Sequence, residues 1–220
     1  MAKRPKPRPR RVALLIEATR GYARGLIRGV ARFNRECRRW SVYYSPQSAE
    51  TASLDWLRAW NGDGILARVE TPHMASAILR TGLPAVDLRR TVRNSRLPSI
   101  GPDDGTVARL GFEHLFERGF RNLAFYAGPV GEHASLDARA EHFASLARKA
   151  GLRCALLRGA RAQLSGAAWE SETARAVRWL KTLPQPVGVM TANDDRGLLL
   201  LDACRRAGLA VPQQIAVIGA

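Results

Sequence analysis

A chain of 220 residues with 35 Lys and Arg against 19 Asp and Glu carries a formal net charge of +16, and 46% of it is hydrophobic. That suffices for one large domain or two smaller lobes, while no run approaches the ~18 apolar residues of a membrane span. Cys37, Cys154 and Cys204 lie far apart, with no Cys-x-x-Cys or Cys/His ligand spacing, which points to buried thiols in a reducing cytoplasm.

Residues 3–11 read K-R-P-K-P-R-P-R-R, in which Lys3, Arg4, Lys6, Arg8, Arg10 and Arg11 are interspersed with prolines. Such spacing excludes helix and predicts an extended, disordered tail over residues 1–11. It offers either weak, salt-dependent, sequence-blind contact with DNA or a solvated terminus without a partner. Val12–Ile16 is too short for a signal-peptide core and predicts a strand.

Tyr22, Leu26, Val30 and Phe33 then recur at helical spacing, and Trp40–Tyr44 predicts a second strand. Trp56, Leu57 and Trp60 mark a helix ending by Gly62. Gly64–Ala67 is a strand, and Thr71-Pro72 caps a helix that runs to Gly82. Ala85–Leu88 is a strand, followed by an aperiodic segment from Thr91 to Gly101.

A second series starts at Asp103, with a helix through Val107, Leu110, Leu115 and Phe116. Leu123–Tyr126 is a strand, Ala127–Asp137 a loop, and Arg139, Phe143, Leu146 and Ala150 share a helical face. Cys154–Leu157 is a strand, and Trp169, Thr173, Ala176, Val177 and Leu180 form another helix. Val187–Met190 predicts a buried strand, Asn193-Asp194-Asp195 a helix cap, Leu198, Leu201 and Cys204 one helical face, and Ile215–Ile218 a final strand. The alternation implies an α/β protein with two doubly wound parallel sheets. The expected division is a first lobe over 12–118 and a second over 119–220.

No phosphate-binding G-x-x-x-x-G-K-[ST], no G-x-S-x-G elbow and no G-x-G-x-x-G after the first strand is present, so an enzyme is not expected. Gly21, Gly25 and Gly29 lie four apart on a helix and suit close packing. His73, His114, His133 and His142 are scattered singly, and no metal or cofactor is expected.

Tyr22, Arg24, Asp103, Asp104, Arg139, Asn193 and Asp194 are polar residues at helix starts or after strands, the positions at which open α/β sheets take ligands, and the family resemblance carried by the blocks that follow implies that they contact one. The four side-chain acceptors among them, Asp103, Asp104, Asn193 and Asp194, serve equally well as helix caps, and Arg24 as an exposed or ion-paired surface residue.

The A-N-D loop and the closing G-L-A-V-P-Q-Q-I-A-V-I-G resemble sensors of LacI/GalR type, and four blocks carry a narrower resemblance: G-Y-A-R-G-L-I-R-G-V-A-R-F (21–33), W-L-R-A-W-N-G-D-G-I-L-A-R (56–68), E-H-L-F-E-R-G-F-R-N-L-A-F-Y-A-G (113–128) and V-G-V-M-T-A-N-D-D-R-G (187–197). In this order they resemble the sensor of the xylose-operon regulators, in which a sensor of LacI/GalR type precedes an AraC-type helix-turn-helix pair. The resemblance implies a two-lobed periplasmic-binding-protein-like type I fold with a sugar effector, such as a pentose, bound between the lobes. Arg139 matches the family's sugar-contacting arginine, and Asn193-Asp194 its A-N-D loop. Where the family often places an aromatic, four residues before the arginine, this chain has Ser135, leaving stacking to Tyr22 or Trp169. Relatives continue past V-I-G with an aspartate-rich turn, whereas this sequence stops at Ala220. The resemblance therefore implies a truncated second lobe, with DNA bound through a module absent from this chain. A cytoplasmic protein, compatible with a homodimer, is the expected whole. The alternative is a stand-alone cytoplasmic sugar-binding protein without a regulatory role.

Overall fold

A computed structural model describes residues 8–46, 53–160 and 166–220. The expected tail at residues 1–7 lies outside them. One compact unit ends at Gly101 and another begins at Pro102.

In the first unit, strands β1 (Arg10–Leu15), β2 (Trp40–Ser45), β3 (Gly64–Ala67) and β4 (Ala85–Asp87) form a parallel sheet in the order β2-β1-β3-β4. Helix α1 (Gly21–Cys37) links β1 to β2, and α2 (Pro72–Arg80) links β3 to β4. Because strand side chains alternate, Ala13 and Leu15 face a core with Leu57, Ile65, Met74 and Ile78, while Leu14 and Ile16 pack with Ala23 and Leu88. This two-sided burial is why β1 reads as a continuous apolar run. Asn34 closes the turn into β2: its side chain accepts from the Trp40 N–H (2.9 Å) and donates to the Trp40 carbonyl (3.0 Å).

The second unit repeats the plan. Strands β5 (Asn122–Ala127), β6 (Cys154–Arg158), β7 (Val187–Thr191) and β8 (Ile215–Ile218) are parallel in the order β6-β5-β7-β8. On one face, α3 (Asp104–Glu117) and α4 (Ala134–Lys149) press Phe112, Leu115, Phe143 and Ala147 against Leu123 and Phe125. On the other, α5 (Gly166–Leu180) and α6 (Asp194–Ala207) bring Ala176, Leu180, Leu199 and Leu200 against Ala124, Tyr126 and Val189. Helix α3 approaches β7 closely: a Cβ on Gly188 would fall 2.8 Å from Leu115 Cδ2.

Several expectations are corrected. The division falls after Gly101, not at residue 118, because α3 packs on α4 and its apolar side joins the second core. The first strand starts at Arg10, within the expected tail, because β1 pairs with β2 from Arg10↔Trp40 onward. Arg8 also donates to the Asp63 carboxylate through Nη2 (2.9 Å) and Nη1 (3.1 Å). Helix α4 begins at Ala134 rather than after Asp137, since Asp137 in its first turn accepts the Gly131 N–H (2.9 Å) and a carboxylate is favoured there.

The stripe of α6 facing the core is Leu199, Leu200, Ala203 and Cys204, whereas Leu198 and Leu201 are exposed. Leu110 and Trp169 are exposed as well. A Cβ at Gly25 or Gly29 would meet nothing within 4 Å, so close packing does not explain these glycines. Cys37 is exposed and Cys154 half-buried; only Cys204 is a fully buried thiol.

Candidate functional site

Parallel sheets present their ligand-binding loops at the carboxyl ends of the strands. In the second unit this edge carries a buried charge cluster. Asp103 is the N-cap of α3, accepting from the Thr106 N–H (3.1 Å) and hydroxyl (2.9 Å). It lines a shallow cleft of about 270 Å³ with Arg109, His142 and Lys149. Its neighbour Asp104 turns inward and is 4% exposed.

Arg139, 7% exposed, reaches Asp104 from α4. Its Nη2 donates to Asp104 Oδ1 at 3.0 Å and its Nε to the same oxygen at 3.3 Å. Its Nη1 donates to the Ala192 carbonyl just after β7, at 2.6 Å. One guanidinium thus ties α3, α4 and the β7–α6 loop together. A guanidinium has five N–H donors, and these bonds engage three. Asp104 Oδ2 is buried with no hydrogen-bond partner among the described residues, which is uncommon for a native polar atom and calls for an explanation.

Asn193 stands beside Ala192 as the N-cap of α6, accepting the Arg196 N–H (3.0 Å). Asp194 follows in the first turn, exposed, with the Gly219 backbone close against it. Four expected contacts, Asp104, Arg139, Asn193 and Asp194, therefore gather at the ends of β7 and β8, while Asp103 faces the α3–α4 cleft instead.

Sequence reasoning missed a second cluster. The Tyr126 hydroxyl donates to Glu172 Oε1 (2.6 Å), and Arg196 Nη1 donates to both the Tyr126 oxygen (3.1 Å) and Glu172 Oε1 (3.0 Å). Arg175 holds Glu172 from the next helical turn (2.8 Å). Burial opposes ionisation of Glu172, but the Tyr126, Arg175 and Ala160 hydrogen bonds outweigh it and hold its carboxyl below the ordinary value. Burial, with Glu172, pushes the Tyr126 phenol well up. Asp137 and Arg158, paired at 3.0 Å, join α4 to the end of β6. The only sequence signal for either cluster was a charged residue next to an apolar stripe.

In the first unit, Arg24 donates to the carbonyls of Ala18 (3.2 Å) and Thr19 (2.8 Å), bracing the loop after β1. Tyr22 is 47% exposed. Buried Asp87 accepts backbone N–H groups of Val69 (3.2 Å), Arg89 (2.9 Å) and Arg90 (3.2 Å), fixing the loops after β3 and β4. Arg68, Glu70 and Arg89 lie on those loops, and Arg89 pairs with Glu70. Among the described residues, no three of His, Cys, Asp and Glu come together as a metal-ligand set, and no helix is long and apolar enough to cross a membrane.

Residues 11–100 match the XylR N-terminal domain family and residues 112–220 the periplasmic binding protein-like domain family. The chain belongs to the XylR-type, periplasmic-binding-protein-like sensor family. It is 26% identical over 217 residues to the xylose operon regulatory protein of Haemophilus influenzae, covering 95% of this chain and 54% of that protein. The Escherichia coli K12 protein of the same name is 24% identical over 215 residues, again covering 95% and 54%. An HTH-type transcriptional regulator, GntR of Pseudomonas aeruginosa, is 34% identical over 181 residues, covering 81% and 51%. The chain thus spans about half the length of the curated relatives it matches.

Among solved structures, the xylose-binding transcription activator xylR superimposes with a TM-score of 0.82 at 23% identity, covering 96% of this chain and 54% of that one. A LacI family transcriptional regulator from Mycobacterium smegmatis gives 0.74 at 21% identity, covering 95% and 77%. These likenesses establish the sensor fold.

Proposed function

We propose that this sensor binds a sugar and passes its occupancy to the DNA-binding part of a transcription regulator, with a pentose such as xylose as the first candidate. The observation carrying this is the Asp104–Arg139–Ala192 cluster. It holds a buried carboxylate oxygen without a donor next to unused guanidinium N–H groups. A sugar hydroxyl donates one hydrogen bond and accepts others, so one hydroxyl, or a vicinal pair, satisfies both. Water could fill the same bonds but would not distinguish epimers; a fixed acid–base pair does so by geometry. Asn193 offers a further amide N–H, its carbonyl oxygen being engaged at the cap.

Family membership supports the reading: the matched relatives are named as xylose operon and HTH-type transcriptional regulators, and one neighbour is titled a xylose-binding activator. The role is non-catalytic. The proposed location is the cytoplasm, where such regulators meet DNA; DNA is contacted through another module, and the basic residues before β1 add only weak, salt-sensitive attraction.

The test is calorimetric titration of the full chain with a panel of pentoses and hexoses. Saturable binding of a sugar, weakened at least tenfold by Asp104→Asn in a folded variant, is the expected result. Equal affinity in Asp104→Asn and the unaltered chain would remove the cluster from the site.

A further inference from the structure

In the second unit, the segment Ala192–Asn193 joins β7 to α6 and is held from both sides. From the α3–α4 side, Arg139 donates to the Ala192 carbonyl (2.6 Å). From the other side come two residues of the Tyr126–Glu172–Arg196 cluster. The Ala192 N–H donates to the Tyr126 carbonyl (3.0 Å), and the Asn193 side-chain oxygen accepts the Arg196 N–H (3.0 Å).

Arg196 stands where local preference opposes it. It lies in the first turn of α6, where the helix dipole favours the acids Asp194 and Asp195 and disfavours a cation. Its side chain, 12% exposed, leaves the turn for three separate segments. It donates to the Tyr126 hydroxyl in β5 (3.1 Å), to Glu172 Oε1 on α5 (3.0 Å) and to the Ala160 carbonyl after β6 (3.3 Å). The loop after β6 makes room for it, since a Cβ on Gly159 would fall 2.6 Å from the Arg196 Cζ. A buried ion pair adds little net stability over apolar packing of the same volume. What a guanidinium adds is a planar fork with fixed bond directions. Here the fork fixes the first turn of α6 and, through it, the Asn193 amide. Because Asn193 Oδ1 is committed to the cap, its Nδ2 N–H groups remain to donate.

We propose that Arg196 is a positioning residue for effector selectivity: held by Tyr126 and Glu172, it fixes Ala192 and Asn193, and so sets the discrimination between sugar epimers without touching the sugar. This rests on the reading that the Asp104–Arg139–Ala192 cluster binds a sugar. Epimers differ only in the direction of one hydroxyl. A loosely held loop bonds either direction, whereas a fixed one bonds a single direction. Binding groups must be held within roughly 0.5 Å by side chains that are themselves hydrogen-bonded from behind, and the Arg196 fork supplies that support on the side Arg139 does not reach.

The experiment titrates the full chain calorimetrically with two epimer sets: D-xylose, D-lyxose, D-ribose and L-arabinose, then D-glucose, D-mannose and D-galactose. The unaltered chain should prefer one sugar over its epimers. Arg196→Met should lower that affinity ratio at least fivefold, and Arg196→Lys should restore part of it. The triple variant Tyr126→Phe, Glu172→Leu, Arg196→Met removes the cluster without stranding a buried charge, so it should melt near the unaltered chain. It should nevertheless show the same lowered ratio, which separates positioning from loss of stability and serves if Arg196→Met alone does not fold. In an Asn193→Ala background, Arg196→Met should lower the ratio less than it does alone, because the residue it acts through is gone. An unchanged ratio in the folded variants, or an equal loss of affinity for every epimer, would make the cluster a structural joint. Either result would overturn this inference and leave the sugar-sensor reading standing, as would an unaltered chain that binds all epimers alike. No binding of any of these sugars by the unaltered chain would overturn the sugar reading itself, and this inference with it.

Discussion

Arg139→Ala removes the guanidinium that joins α3, α4 and the β7–α6 loop. Three bonds disappear: two to Asp104 Oδ1 and the 2.6 Å bond to the Ala192 carbonyl. Because Oδ2 has no partner already, Asp104 would become a buried carboxylate with neither oxygen bonded from Arg139. Breaking a buried pair from one side costs about 3–5 kcal/mol, and an orphaned buried carbonyl about 1–3 kcal/mol. These losses share one group and do not add in full, so about 4 kcal/mol is expected. For a cooperative unit of this size that lowers the melting temperature by on the order of 10 °C. Replacing both partners, Asp104→Leu with Arg139→Met, leaves no stranded charge and should recover most of the loss, as apolar substitutes for buried pairs often do. Thermal melts followed by circular dichroism, with sugar titrations on each variant, separate the two roles. The double variant should melt near the unaltered chain yet bind sugar at least tenfold more weakly. An Arg139→Ala chain melting within about 2 °C of the parent, taking about 2–4 °C per kcal/mol as the conservative scale, would refute the energetic argument. Arg148→Ala, on the exposed side of the same helix, is the control and should change neither quantity.

Three further outcomes are expected. Glu172 has a depressed carboxyl, so its contribution is present above the ordinary glutamate range and lost as pH falls through its folded value; acid titration should destabilise the chain there, and Glu172→Gln should flatten that part of the profile. Gly188→Val would drive a side chain into Leu115, already 2.8 Å from a bare Cβ, and should cost about 1–3 kcal/mol by denaturant melting, whereas Gly25→Ala should cost nothing or stabilise α1. Burial raises the Cys154 and Cys204 thiols to about 11, so a neutral-pH alkylating pulse read by mass spectrometry should label exposed Cys37 first; equal labelling of Cys204 would contradict its place in the core.

The order of elements was legible because strands buried on both faces must be apolar throughout, while the helices covering them carry apolar residues at helical spacing. The expected strands Val187–Met190 and Leu123–Tyr126 lie within the observed Val187–Thr191 and Asn122–Ala127 and needed no tertiary information. Caps were legible too: Thr71, Asp103 and Asn193 each accept from the backbone three residues on, an interaction contained within one turn. Family resemblance rested on the same local wording and pointed correctly to the sensor fold. Which stripe of α6 faced inward was not legible, because Leu198 to Leu201 are four leucines in a row and periodicity is silent on such a run; only packing against β5 and β7 selects Leu199 and Leu200. Asp103 and Asp104 are likewise indistinguishable as adjacent acids. Folding sends one to solvent as a cap and the other onto Arg139, 35 residues away. Sequence encodes what neighbours along the chain can do for one another, whereas burial of charge is a property of distant segments meeting, and only the tertiary structure decides it.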